Sequence, residues 1–187
     1  MKPVTIEYND RLSRHFIWAS IIGGSVGLSF RALSAGLLAI WQATRGAISA
    51  EVGALTGLAM AGIAIGGRLG LQFERPANTL PVIVGAGVVV SLLIAAGIPL
   101  RAPGVLVPVF LAVAGVLTGA AFPGLGALAG GHSARRGAGI AYSADELGAA
   151  LTALVIGTAA IPWFGMTWSA VGLAVLGLAA IPAAARA

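Results

Sequence analysis

From residue 17 onward the chain alternates long apolar stretches with short corners rich in glycine, proline or charge. Uncharged runs of 16 to 39 residues recur along it, too long for the half-buried elements of a water-soluble domain. Six spans follow from the pattern, at about Ile17 to Ala43, Val52 to Leu71, Val82 to Ile98, Val105 to Leu128, Ile140 to Ile161 and Met166 to Ile181. Most are close to the ~20 residues that cross a ~30 Å hydrocarbon core as a helix. The corners are Thr44 to Gly46, Gln72 to Asn78, Pro99 to Gly104, a glycine-rich basic loop from Gly130 to Gly139, and Pro162 to Gly165. Pro81 opens the third span, and Phe122-Pro123-Gly124 predicts a break near the end of the fourth. The expected fold is all-α: a polytopic membrane protein whose residues 17–184 form one six-helix bundle resembling half a transporter, after a cytoplasmic segment 1–16.

Composition supports this reading, with 58% apolar residues, 9% charged and a mean hydropathy of +0.98. Soluble domains carry about 25% charged residues. The net charge of +5 does not point to nucleic acid, because its distribution matches membrane topology. Counted by alternate corners, Lys2, Arg11, Arg14, Arg68, Arg75, Arg135, Arg136 and Arg186 fall on one side, and only Arg45 and Arg101 on the other. By the positive-inside rule that bias predicts a multi-pass protein of a bacterial-type cytoplasmic (inner) membrane, with both termini in the cytoplasm. The absence of cysteine removes disulfides, thiolate metal sites and cysteine nucleophiles from consideration. His15 and His132 lie at span ends rather than at bilayer depth, so no axial pair for a haem is expected. Trp18, Trp41, Trp163 and Trp168 also fall near span ends, where an aromatic belt accounts for them.

Small residues line particular helix faces. On the second span Gly53, Gly57, Gly62, Gly66 and Gly70 recur at four- and five-residue spacings, and Gly115 and Gly119 form another G-x-x-x-G on the fourth. Such faces let backbones approach closely. Gly62, Gly66, Gly115 and Gly119 are therefore expected in helix packing, and the glycine surface exceeds what a six-helix bundle needs, so part of it is expected to meet another chain.

Three ionisable residues fall inside spans. Arg31 lies ~21 Å along the first helix at 1.5 Å per residue and needs a carboxylate, backbone carbonyls or water. Asp145 and Glu146 lie about one to two turns into the fifth span and point ~100° apart. Either could pair with Arg31, with Glu51 as a competing acid, or they could simply complement the positive end of their own helix, with Ser143 as a local cap. Tyr142, Asp145, Ala149 and Thr152 recur at helical spacing, which predicts a narrow polar seam facing another helix. Arg31, Tyr142, Asp145 and Glu146 are the candidate functional residues. No catalytic constellation, metal site or cofactor site is expected.

Two stretches together carry a resemblance. Trp41-Gln42 with Gly46, followed by Met60-Ala61-Gly62 with Gly66, is similar to F-Q-x-x-x-G and F-M-x-G-x-x-x-G. The segment from Ala141 to Ala150, containing Tyr142, Asp145, Gly148 and Ala149 and running on to Pro162 and Gly165, resembles Y-a-a-D-x-x-G-A-a with a P-x-x-G turn. Both patterns resemble the membrane-embedded module of spermidine-synthase-like membrane proteins, whose helices are related to the major facilitator superfamily. The likeness extends over roughly Gly23 to Gly165. It implies a six-helix, half-transporter-like module. The soluble synthase domain is not in this sequence, so no polyamine-synthase activity is expected, and Arg31 stands where such modules often carry an acid. The expected role is a structural or accessory subunit of a larger hetero-oligomeric membrane complex, electron transfer in other chains among its settings. The alternative is a small transporter built as a dimer of six-helix halves.

Overall fold

The structure is a computed structural model that describes residues 34–39, 41–45, 49–73, 76–130 and 133–186. Among the described residues it is helical throughout, with no strand. Residues 34–39 and 41–45 form α1, followed by α2 (Ser49–Gly70), α3 (Pro76–Ala95), a short α4 (Ile98–Arg101), α5 (Pro103–Gly130) and α6 (Ala134–Leu151). α6 runs on through a π-helical segment, Thr152–Ala160, into α7 (Ile161–Arg186). Among the described residues four stretches are long and apolar enough to cross a membrane: Ala50–Gly70, Asn78–Ala95, Pro103–Ala129 and Thr158–Pro182. Most of the expected first span, with Trp18 and Arg31, lies outside the described residues, as do His15 and His132.

Several boundaries differ from those the sequence predicts, each for a local reason. α3 begins at Pro76, six residues before Val82, because proline is well placed at the start of a helix. It ends at Ala95, since Gly97 takes a left-handed conformation (φ 71°, ψ 18°) and caps the turn. The expected break at Phe122-Pro123-Gly124 is not there, and α5 continues to Gly130. Pro123 can give no N–H to the Gly119 carbonyl, but that carbonyl faces α2, 3.8 Å from where a Cβ would stand on Gly67. The α2 backbone therefore packs close to the carbonyl that lost its donor. Much of the expected basic loop is helical, because α6 starts at Ala134 instead of Ile140. Arg135, Arg136, Asp145 and Glu146 then all belong to α6, too much charge for it to meet the composition of an apolar span.

α5 is the hub. It packs against α2, α3, α4 and α6, while α3 also packs against α7. Leu37, Leu80, Val107 and Leu111 are fully buried between these helices. Two buried hydroxyls need no outside partner: Ser91 donates to the Gly87 carbonyl and Thr118 to the Ala114 carbonyl, each at 2.8 Å.

The glycine faces meet each other within the chain. A Cβ on Gly62 would stand 2.7 Å from the Ala112 carbonyl oxygen, and one on Gly70 2.7 Å from that of Ala120. At Gly66, Gly115 and Gly119 the overlaps, with the carbonyls of Val116, Ala59 and Ile63, would be closer still. Ala59 to Gly70 thus runs in step with Ala112 to Pro123, so α2 and α5 are parallel, which one intervening span, α3, requires. The expectation that surplus glycine surface on these helices meets another chain is corrected for Gly62, Gly66, Gly70, Gly115 and Gly119, whose close contacts are α2 with α5. Gly53 and Gly57 have nothing within 4 Å of an added Cβ.

Candidate functional site

α6 folds back along α5. Gly137 and Ala138 lie against Gly126, 3.8 and 3.9 Å from the position of a Cβ there. Beyond this contact Gly137, Ala141, Ala144, Asp145 and Gly148 form the buried face of α6, at the spacing of one helix stripe. Asp145 is only 3% exposed. Helices of equal rise running antiparallel from the Gly126 contact bring Asp145 level with Thr118, close to the middle of the apolar stretch Pro103–Ala129. Asp145 therefore lies near mid-span and not in the first turns of its helix, which overturns the helix-start reading. The earlier start of α6 at Ala134 carries it about 9 Å deeper than a start at Ile140 would.

The polar seam expected from Tyr142 to Thr152 is also corrected. Tyr142 is 61% exposed and Asp145 is buried, so the two occupy different faces; the side chains of Ala149 and Thr152 lie outside the description. Ser143 does not cap the helix start. Its hydroxyl donates to the Gly139 carbonyl at 2.9 Å. Glu146 follows Asp145 by one residue and faces outward, exposed, beside Tyr142, Ser143 and Leu147. Asp145 and Glu146 each make interactions within the chain, yet Glu146 keeps its exposed surface. A charged side chain near the middle of a bilayer costs ~3 kcal/mol even on lenient scales, so this outward face is poorly suited to lipid.

A second polar group ties α1 to α2 and α5. The Trp41 indole N–H donates to Glu51 Oε2 at 2.8 Å, and the Arg45 guanidinium lies over the Trp41 ring, 5.2 Å from its centroid. Arg45 reaches the N-terminal turn of α5, where a Cβ on Gly104 would collide with its Nη2. Trp41 is 7% exposed, so it is a buried, hydrogen-bonded residue and not a lipid-facing belt residue; Trp163 and Trp168, at 78% and 69%, do face outward. The sequence contained a signal for this cluster in the short separation of Trp41, Arg45 and Glu51 across one corner.

Near Gly165 (φ 75°, ψ 172°) the backbone leaves helical geometry at the end of the expected Pro162-to-Gly165 turn. Just beyond it, an open groove of ≈ 560 Å³ is lined chiefly by Phe164, Trp168, Leu173 and Leu176. Among the described residues no three His, Cys, Asp or Glu side chains come together as a metal site would require. The arrangement thus offers one mid-span carboxylate held inside the bundle, one turned outward, and a polar clamp at a helix end. No protein-family model, characterised protein or solved structure matches the chain.

Proposed function

We propose that the chain is an accessory subunit of a hetero-oligomeric membrane complex, a six-span module that acts by assembling with other membrane proteins. The observation that carries this reading is the two-faced α2. One side, through Gly62, Gly66 and Gly70, is packed on α5, while Gly53, Gly57, Ala61 and Ala64 line an exposed side of the same helix. Lipid contact gives such a surface no gain over larger apolar side chains, whereas helix–helix contact does, because small residues let backbones close together. The test is extraction in mild detergent and comparison of Gly57→Leu with wild type. The wild type should bring down a different membrane protein in fixed ratio, and Gly57→Leu should lose it while keeping its own helix content. Retention of the partner by Gly57→Leu would remove this observation as support.

A second reading, a small transporter, draws support from Asp145, since a carboxylate buried at mid-span is a functional-site hypothesis by default. It expects Asp145→Asn to abolish flux of a transported solute in reconstituted vesicles while assembly is unchanged.

A further inference from the structure

We propose that Arg45 and Arg101, at the end of the bundle where α2 and α5 both begin, form a binding site for an anionic phospholipid, whose phosphodiester is held by the Arg45 guanidinium where it lies over Trp41. The inference goes beyond the subunit reading and stands whether or not the chain has a protein partner. Its first ground is position. The apolar stretches Ala50–Gly70 and Pro103–Ala129 both start here, and the parallel run of α2 and α5 brings the two starts to one side. At this level hydrocarbon gives way to headgroups, so a cation fixed here stands beside lipid phosphates.

The second ground is that Arg45 is held without being consumed. Its guanidinium lies 5.2 Å from the centroid of the Trp41 ring, and Trp41 is itself buried and tied by its indole N–H to Glu51. On α5 the guanidinium stands where a side chain at Gly104 would collide with it. Glu51 thus serves the indole, and among the described residues Arg45 makes no ion pair, while its side chain is exposed. A guanidinium held in one plane with its N–H edge open matches two oxygens of a phosphate. The third ground is the surroundings. Arg101 precedes Gly104 by three residues, which puts its Cα within ~11 Å of that glycine. Two arginines here face Glu51 as the only acid among the described residues at this end, so the end is left cationic. Leu100 and Val105, 58% and 66% exposed, adjoin Arg101 and Gly104 in the chain. Cations bordered by exposed apolar side chains suit an amphiphile better than a free anion.

The experiment uses the full chain, delipidated in mild detergent and titrated with dioleoyl phosphatidylglycerol or dioleoyl phosphatidylcholine, with bound lipid counted by native mass spectrometry and melting followed in parallel. The proposal expects wild type to bind the anionic lipid more tightly than the zwitterionic one and to melt higher with it. Affinity for phosphatidylglycerol should fall about fivefold or more in Arg45→Gln, and Arg45→Lys should recover part of the loss. It should fall also in Arg101→Gln, but not in Arg68→Gln, which removes an arginine from the opposite end of α2. Inorganic phosphate in excess should not displace the lipid. Equal affinity of wild type for the two lipids overturns the proposal, as does an equal loss in Arg68→Gln, which would make the binding a matter of net charge. Displacement by inorganic phosphate overturns it in favour of a free-anion site, and unchanged binding in Arg45→Gln overturns it outright. Should Arg45→Gln fail to fold, Arg101→Gln decides, since Arg101 is exposed and lies outside the Trp41 contacts; unchanged phosphatidylglycerol affinity there overturns the site. None of these results bears on the Gly57→Leu test, so the subunit reading fails or stands separately.

Discussion

Gly66 and Gly119 sit where two backbones meet, and an added methyl at either position would overlap a carbonyl of the facing helix. Gly119→Leu should therefore lower the melting temperature and steady-state level of the protein, at a cost of about 1–3 kcal/mol or more. Gly53→Ala is the matched control: nothing lies within 4 Å, and alanine is the better helix former by about 1 kcal/mol, so stability should hold or rise slightly. A thermal-shift series in one detergent checks both. At Trp41, replacement by phenylalanine removes the N–H that Glu51 accepts and should cost about 1–3 kcal/mol, through a part-buried carboxylate left without its donor. Glu51→Gln keeps an acceptor oxygen and should cost less; equal losses would separate Trp41 from Glu51. The glycine spacing was legible in the sequence, because period alone marks a face. Which helix that face meets was not, since a period carries no information about the neighbour. The divergence of Asp145 and Glu146 was legible for the same reason, whereas the exposure of Tyr142 depended on where α5 lies.

Helices were more continuous than the sequence suggested. Pro123 and the glycines after Gly130 read as breakers by the rules of water-exposed helices. In apolar surroundings the backbone has no competing hydrogen-bond partner, so the helix is retained wherever its neighbours can satisfy the freed groups. That is why α5 passes through Pro123 and α6 starts at Ala134. The early start moves Asp145 to mid-span, which changes its meaning from a helix-end charge to a buried one. Gly165, by contrast, is a real interruption, and its positive φ of 75° is a conformation that a Cβ disfavours by roughly 1–2 kcal/mol. Gly165→Ala should accordingly destabilise the hinge between the π-helical segment and the rest of α7. The expected result is a lower melting temperature and faster proteolysis near residue 165, while Gly172→Ala, with open space around it, should show neither. Equal sensitivity of the two variants would mean that the hinge conformation carries no strain.

For the whole molecule, α2 and α5 run parallel with α3 between them, the register that alternating crossings from Ser49 to Gly130 would require. The chain has no cysteine, so single cysteines introduced at Arg101 and Arg135 report without background. The expectation is that a membrane-impermeant thiol reagent labels the first in intact cells and the second only after permeabilisation; equal labelling of both in intact cells would break the topology. Membrane residence and helical class were legible because composition and uncharged run length decide them. Which small and polar positions are consumed inside the bundle was not, because the sequence marks them without naming the neighbour they meet. The central claim is that this 18.5 kDa chain works as one subunit among different ones, and native mass spectrometry of the assembly taken directly from its membrane tests it most directly. A single species containing this chain and at least one different membrane protein in fixed ratio is the predicted result; a monomer or a homodimer as the only species would contradict it.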